Sequence, residues 1–265
     1  MRIGIYGNVE KKEISEAAQA LLTDLNGKGF FAQLFLAPFL WEQIDVLVVL
    51  GGDGTILHIA AQAAQNDVKI VGVNYGTLGF LTEFEREEIG KVSDFLFDLE
   101  KEDCRVLKRS VLEVVFEEKR YYALNEAAVQ RDYAAVNSRI MRTEVSKGED
   151  DCIVFCGDGA LIATPTGSTA YSLSAGGAIA EPDAPVMMLT PVCSFSLNAR
   201  CVVISDQKTV TLSIEHSEAA LMIDGKMQGK MKSGDCITVK KAPFYAEFPV
   251  RSGSSFFQKV SKKLK

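Results

Sequence analysis

Asp45-Val46-Leu47-Val48-Val49-Leu50-Gly51-Gly52-Asp53-Gly54-Thr55 joins a run with no polar face to a turn with three glycines. Val46–Leu50 is apolar on both faces, as a central parallel strand covered by helices requires, and a helix is predicted from about Thr55. In open α/β sheets, ligands bind beyond the carboxyl ends of strands, and this turn lies at such an end. Gly51, Gly52 and Gly54 admit unusual backbone angles and close approach by a ligand. The helix behind them offers unpaired N–H groups to an anion, so Gly51, Gly52 and Thr55 are candidate phosphate-binding residues. Asp53 sets the turn apart from a plain phosphate loop. A carboxylate beside phosphate is repulsive unless a cation offsets it, and Mg2+ or another divalent cation would do so. Asp53 can also act as a base toward a hydroxyl nucleophile, or simply cap the helix. The surrounding glycines exceed what a cap needs.

Outward from this turn the pattern alternates strand and helix. Arg2–Tyr6 reads as a strand. Ile14, Ala17, Ala18, Leu21, Leu22 and Leu25 fall on one helical face, and Asn26-Gly27-Lys28-Gly29 stops that helix. Strands follow near Phe30–Phe35 and at Lys69–Val73. Ile89, Val92, Leu96 and Leu99 then form a helical stripe with Phe95 at its edge. Residues 1–100 are therefore expected to form an α/β domain with an open, mostly parallel sheet.

Past Arg105 the patterning changes. Val111–Phe116, Tyr121–Leu124, Thr209–Ile214 and Cys236–Val239 look like strands, with turn signals at Asp224-Gly225 and Ser233-Gly234-Asp235. Residues 101–248 are expected to be a β-rich C-terminal domain interrupted by a small-residue helix near Ser168–Ala175. Residues 249–265 carry Phe256, Phe257, Val260 and Leu264 at helical spacing among Lys259, Lys262, Lys263 and Lys265. They read as a helix that docks back on the N-terminal domain, its lysines suiting the C-terminal end of the dipole.

Composition narrows the function classes. The chain has 265 residues, 47% hydrophobic and 24% charged, with 29 Lys+Arg against 35 Asp+Glu for a net charge of −6. That balance argues against nucleic acid or an anionic membrane as the main partner. No apolar run approaches the ~18 residues of a membrane span, and Met1–Tyr6 reads directly as a strand, so a cytoplasmic location is expected. The six cysteines lie in apolar or strand-like contexts. Cys152 and Cys156 find no second pair or nearby His to complete a zinc set, so free, mostly buried thiols are expected and no protein-held metal site.

Two further segments can carry chemistry. Asp158-Gly159 precedes Thr164-Pro165-Thr166-Gly167-Ser168-Thr169-Ala170-Tyr171-Ser172-Leu173-Ser174-Ala175-Gly176-Gly177. Hydroxyls at 164, 166, 168 and 169 can cap a helix or reach phosphate and ribose oxygens. Asn125-Glu126 offers an amide and a carboxylate, suited to an adenine edge and a ribose diol, or forms a plain strand-end turn. Other nucleotide signatures are absent: there is no G-x-x-x-x-G-K-[ST], and Gly52-x-Gly54 is followed by Leu57 where a dinucleotide fingerprint wants Gly or Ala.

Gly51–Thr55, Asn125-Glu126 and Thr164–Gly177 occur in the order and spacing of the NAD kinase family, which this chain resembles over nearly its whole length. Gly72–Thr82 is similar to the family's second nucleotide loop, and Phe256-Phe257-Gln258-Lys259 with Lys263-Leu264 to its tail. The Gly-Gly-Asp-Gly-Thr run is shared with lipid kinases and, loosely, phosphofructokinases; the Thr164–Gly177 run is specific.

The resemblance implies transfer of a phosphoryl group from ATP or polyphosphate to the 2′-hydroxyl of the adenosine ribose of NAD, giving NADP. It implies Asp53 as catalytic residue, through the proton or the metal. Gly54, Phe80, Asn125, Glu126, Asp158, Thr166, Thr169, Ala170 and Tyr171 would bind substrate, Phe80 near the adenine and Asp158 at a ribose. It further implies a site between the two domains and a homodimer or homotetramer. Phe195, Cys156 and Ala178 depart from residues common in the family (His, Arg and Pro), which bears on NAD against NADH and on the donor. The alternatives are a diacylglycerol- or sphingoid-type lipid kinase and a non-catalytic NAD(P) sensor.

Overall fold

The hydrophobic run at Val46–Leu50 forms a strand with all five residues buried, at the centre of a five-stranded parallel sheet. The computed structural model describes residues 1–77, 79–135, 139–147 and 151–263. Leu78 of the expected second loop, and Leu264 and Lys265 of the expected tail, lie outside the described residues. The chain divides into two units, Met1–Lys108 with Tyr245–Lys265, and Arg109–Phe244.

The first unit runs β1 (Arg2–Gly7), α1 (Lys12–Gly27), β2 (Phe31–Leu34), β3 (Val46–Leu50), α2 (Asp53–Gln65), β4 (Lys69–Asn74), β5 (Phe84–Glu85) and α3 (Val92–Glu100). The sheet order is β2-β1-β3-β4-β5, every neighbouring pair parallel. Helix α1 buries Ile14, Ala18, Leu21 and Leu25, the face its spacing predicts, and ends before Gly29 at φ +89°. Ile14, Leu21 and Leu25 each contribute roughly 1.5–3 kcal/mol on leaving water. Helix α2 begins at Asp53, two residues before the expected start, because Gly52 already takes the extended N-cap conformation.

The second unit is built on β6 (Arg105–Phe116), β7 (Lys119–Ala123), β8 (Glu126–Arg131), β9 (Met141–Ser146), β10 (Cys152–Gly157), β11 (Gly159–Ala163), α4 (Tyr171–Ser174), β12 (Val186–Val192), β13 (Val202–Ser205), β14 (Val210–Glu215), β15 (Ala219–Ile223), β16 (Lys226–Met231) and β17 (Cys236–Val250). Two six-stranded sheets result, β10-β9-β14-β17-β6-β7 and β13-β12-β11-β8-β15-β16. Leu112, Val114, Val145, Leu212 and Ile237 of the first pack with Ala127, Val129, Ile162, Leu189 and Leu221 of the second in one core. The other face of the second sheet, at Ala128, Leu161, Ala163 and Met188, is covered by Tyr171, Ala175 and Ala180.

Three expectations change. The helix near Ser168–Ala175 is a 3-10 turn at Gly167–Thr169 followed by the four-residue α4, interrupted at Ala170 (φ −109°, ψ −126°). Ser168 and Thr169 turn their hydroxyls onto the carbonyls of Pro165 and Thr166, local bonds that compete with a continuous helix. The thiols are free but not buried: Cys152, Cys193 and Cys236 are exposed, and Cys104, Cys156 and Cys201 half-buried. The unit boundaries fall at 108/109 and 244/245, inside β6 and β17. A strand crossing a boundary leaves no linker composition to read.

Helix α5 (Phe256–Lys263) closes the described chain. Its apolar stripe is not uniformly seated, since Phe257 is 74% exposed. Among the described residues no helix is long and apolar enough to cross a membrane.

Candidate functional site

In the first unit, β3 delivers the chain into the turn. The N–H of Gly51 donates to the Val73 carbonyl at 3.0 Å, and that of Tyr75 to the Gly51 carbonyl at 3.3 Å, so the turn is stitched to β4. A Cβ on Gly51 would collide with the Thr55 side chain, whereas one on Gly52 or Gly54 would meet nothing within 4 Å. Gly51 is thus required by packing. The open space over Gly52 and Gly54 leaves the backbone accessible to a ligand.

Asp53 is the first residue of α2, directly after the N-cap Gly52. Its carboxylate reaches to the loop after β4, where Oδ2 accepts the Phe80 N–H at 2.8 Å and Oδ1 the Leu81 N–H at 3.0 Å. Gly79 lets the loop come this close: a Cβ there would lie 2.5 Å from Asp53 Oδ1 and 2.8 Å from Thr82 Oγ1. Two amides therefore fix a partly exposed carboxylate at the mouth of the glycine turn. Phe80 is buried, and its backbone does part of this work. His58 lies exposed on α2.

In the second unit, Asn125 and Glu126 occupy the step from β7 to β8, both buried. Asp224 holds them there. Its Oδ2 accepts the Leu124 N–H at 2.8 Å, and its Oδ1 the N–H groups of Asn125 at 2.8 Å and Glu126 at 3.1 Å. The Asp224-Gly225 turn signal thus carries a second message, a side chain that organises a loop far away in sequence.

Glu126 is 5% exposed, and its Oε2 has no hydrogen-bond partner. Burial first, then the charge of Asp224, push its carboxyl up to about 7, while the Tyr171 backbone N–H pulls it down. A buried acid with an unused oxygen is suited to a ligand hydroxyl.

The Thr164–Gly177 run wraps this step. The Thr164 hydroxyl donates to the Leu124 carbonyl at 2.5 Å and accepts the Gly167 N–H at 3.0 Å, and a Cβ on Gly167 would collide with the Asn125 carbonyl. Ser168 bonds Pro165 and Ala180, and Ser172 bonds Thr190. The hydroxyls of Thr164 and Ser168 are thus engaged in holding the backbone, and that of Ser172 in a bond to the Thr190 hydroxyl. Arg109, buried, donates to the Thr166 hydroxyl at 3.2 Å; an Arg in a strand-like run gave no sequence signal of this. Thr169, Ala170 and Tyr171 are half-buried.

Asp158 sits between β10 and β11, where its carboxylate pairs with Arg131 at 2.8 Å. The guanidinium lies over the Tyr133 ring, 4.5 Å from its centre. Asp158, Arg131, Tyr133, Gln130 and Tyr171 line a cavity of about 410 Å³, in which Gln130 donates to the Tyr171 hydroxyl. Asp158 and Tyr171 are thereby brought together, with Arg131 as a partner the sequence did not reveal. Among the described residues no cluster of three or more His, Cys, Asp and Glu could hold a metal.

Comparison with known proteins adds a second line. Residues 7–100 match the model of the ATP-NAD kinase N-terminal domain, and residues 118–250 that of the ATP-NAD kinase C-terminal domain. The chain is 36% identical over 234 residues to a NAD kinase of Carboxydothermus hydrogenoformans, covering 84% of this chain and 80% of that protein. It is 30% identical over 267 residues to a NAD kinase of Caldicellulosiruptor saccharolyticus, covering 100% of each. A crystal structure of an NAD kinase from Archaeoglobus fulgidus in complex with ATP superposes with a TM-score of 0.77 at 26% identity, over 98% of this chain and 99% of that one. Yeast NADH kinase complexed with NADH gives a TM-score of 0.84 at 23% identity, over 100% of this chain and 87% of that one, a likeness of fold.

Proposed function

The chain belongs to the NAD kinase family, and from that membership we propose that Asp53 is the residue on which its phosphoryl transfer turns. The enzyme is an NAD kinase, a phosphotransferase that converts NAD to NADP with ATP as donor. The 2′-oxygen of the adenosine ribose attacks the terminal phosphorus, the bond to the leaving phosphate breaks, and ADP departs. Such a transfer needs positioning and charge neutralisation more than covalent chemistry.

The observation that supports the assignment of Asp53 is its carboxylate, held by the Phe80 and Leu81 amides at the mouth of the glycine turn. A carboxylate so fixed orients the 2′-hydroxyl and takes its proton late, when the P–O bond has largely formed. Gly51, Gly52 and Thr55 receive the donor's phosphates. Gly54, Asn125, Glu126, Asp158, Thr166, Thr169, Ala170 and Tyr171 bind the dinucleotide, with Phe80 beside its adenine. Glu126 is supported in this role by its unpartnered buried oxygen.

The donor set of the turn, one carboxylate with no further metal ligands clustered among the described residues, fits a divalent cation carried in on the donor's phosphates rather than one caged by the protein. Asp53 is the side chain of the turn that would hold Mg2+ carried in this way, and the ion would supply neutralisation of phosphate charge. Polyphosphate would serve as donor by the same contacts. A homodimer or homotetramer in the cytoplasm completes the reading, supported by exposed Phe195 (79%) and Leu197 (88%) on the second unit.

The test is turnover. With NAD, ATP and Mg2+, a coupled dehydrogenase should detect NADP from the wild type and a loss of at least about a hundredfold in Asp53→Asn. Polyphosphate in place of ATP defines the donor. A mutant as active as wild type would remove Asp53 from its role. Tight NADP binding without turnover would instead favour the sensor reading.

A further inference from the structure

We propose that the segment Arg251–Lys259 sets the position of Asp53 by gripping the loop Gly79–Glu83, which makes Lys259 and Arg251 positioning residues for phosphoryl transfer. The inference rests on the assignment of Asp53 and concerns the first unit alone.

The loop has two ends with different tasks. Phe80 and Leu81 donate their N–H groups to the Asp53 carboxylate. The next two residues are held by the tail. Lys259 Nζ donates to the Thr82 carbonyl at 2.9 Å and lies 3.5 Å from Glu83 Oε2. Arg251 gives its backbone N–H to Glu83 Oε1 at 3.0 Å and its Nη2 to the Glu83 carbonyl at 2.6 Å, and Ser254 Oγ donates to Glu83 Oε2 at 3.2 Å. Glu83 N–H in turn donates to the Gly72 carbonyl at 2.9 Å, tying the loop to β4. No residue separates the pair that holds Asp53 from the pair held by the tail, so a shift at Thr82 is passed directly to the Leu81 amide.

The grip is polar and hollow. Glu83 is 5% exposed at its side chain and is paired there with Arg251 and Lys259, partners that a buried carboxylate requires. Arg251 also pairs with Glu88 at 2.9 Å and lies over the Phe84 ring, 4.4 Å from its centre. The same residues line a cavity of about 360 Å³ with Gly79, Thr82 and Ser255. The join is made of directional bonds around an open pocket, with Phe257 left exposed. What it supplies is direction. Ion pairs and hydrogen bonds constrain angle, and a misplacement of about 1 Å at a reacting group can cost a hundredfold in rate.

The test compares Lys259→Met, Lys259→Arg, Ser254→Ala and Asp53→Asn by steady-state kinetics and thermal unfolding. Lys259→Met, which keeps the apolar stem, should lower kcat by about tenfold or more with KM for NAD changed less than about twofold. Lys259→Arg should recover most of that loss, and Ser254→Ala, the milder lesion, should lower kcat by about threefold. A folded Lys259→Met with wild-type kcat, alongside an inactive Asp53→Asn, overturns the grip while leaving Asp53 in place. A loss that follows the fall in Tm, spreads to KM and is not rescued by Lys259→Arg also overturns it, as a purely structural effect. Wild-type activity in Asp53→Asn overturns both assignments at once.

Discussion

Asp224 holds Glu126 by its backbone and repels it by its charge: Oδ1 accepts the Glu126 N–H at 3.1 Å, while the Asp224 carboxylate adds to burial in raising the Glu126 carboxyl to about 7. Asp224 is itself raised, by burial first, against the three backbone donors that favour its ionised form. Two acids thus share one buried step, one spent on the backbone and one with an oxygen to spare.

The pH dependence follows from the sign of that shift. Folded, Glu126 keeps its proton to about pH 7; unfolded, it loses it near its ordinary value of 4.5. Between these limits the folded state binds more protons, so the Glu126 contribution to stability falls as pH rises from 4.5 to 7 and is flat above. Glu126→Gln should therefore gain stability over wild type as pH rises, up to about 3 kcal/mol by pH 8. Urea unfolding at pH 5 and pH 8 reads this directly, and a difference that does not grow would contradict it. A ribose hydroxyl donates more strongly to the ionised acid than to the neutral one. KM for NAD should accordingly rise below about pH 7 in wild type and flatten in Glu126→Gln.

Gly79→Ala places a methyl 2.5 Å from Asp53 Oδ1, an oxygen held by the Leu81 amide. The carboxylate cannot swing away without giving up that bond. A kcat lowered roughly ten- to a hundredfold is expected, with KM for NAD little changed. Kinetics of the purified variant decide it; unaltered kcat would mean that the carboxylate moves without consequence.

At Gly167 the obstruction is backbone, since an added Cβ meets the Asn125 carbonyl. Neither partner can rotate aside. Gly167→Ala should cost at least about 3 kcal/mol of stability, whereas Gly54→Ala, in the first turn of α2 with open space around its Cβ, should leave stability unchanged or raise it by up to about 1 kcal/mol. Denaturant midpoints of the two variants, measured side by side, check the contrast.

The thiols offer a rapid check on the burial pattern, five of them in the second unit and Cys104 in the first. Cys152, Cys193 and Cys236 are exposed, and Cys104, Cys156 and Cys201 half-buried. A colorimetric thiol reagent should titrate the first three promptly in the native protein and the others more slowly. Burial pushes the Cys104 thiol up, which delays it further. A native protein with no fast phase would be inconsistent with this arrangement.

What the sequence made legible follows from the range of the forces involved. Val46–Leu50 and the Ile14–Leu25 stripe declare themselves because strand and helix periodicity are local, and both elements form where expected. The glycine turn is legible for the same reason. Asp53 was readable as an acid at a phosphate turn, but its partners Phe80 and Leu81 stand 27 and 28 positions away, and periodicity does not reach that far. Asp224 lies 98 to 100 positions from the amides it holds and looks like an ordinary hairpin residue. Arg131 and Arg109 were silent because nothing local distinguishes a buried pairing arginine from a surface one. In β17 the run beyond Val239 was hidden by Lys240, Lys241 and Pro243, which break the apolar alternation that the strand itself does not break.

Strand β17 carries the chain out of the second unit and back into the first at Tyr245. On a ribosome, that order becomes a schedule. Residues 109–244 emerge as one uninterrupted stretch, and everything the second unit needs is present before the first unit has its remaining piece. Arg251 and Lys259 are made after the Glu83 they bind. The loop behind Asp53 is therefore held by residues that arrive late, and a nascent chain has made its glycine turn before the residues that fasten the loop beside it.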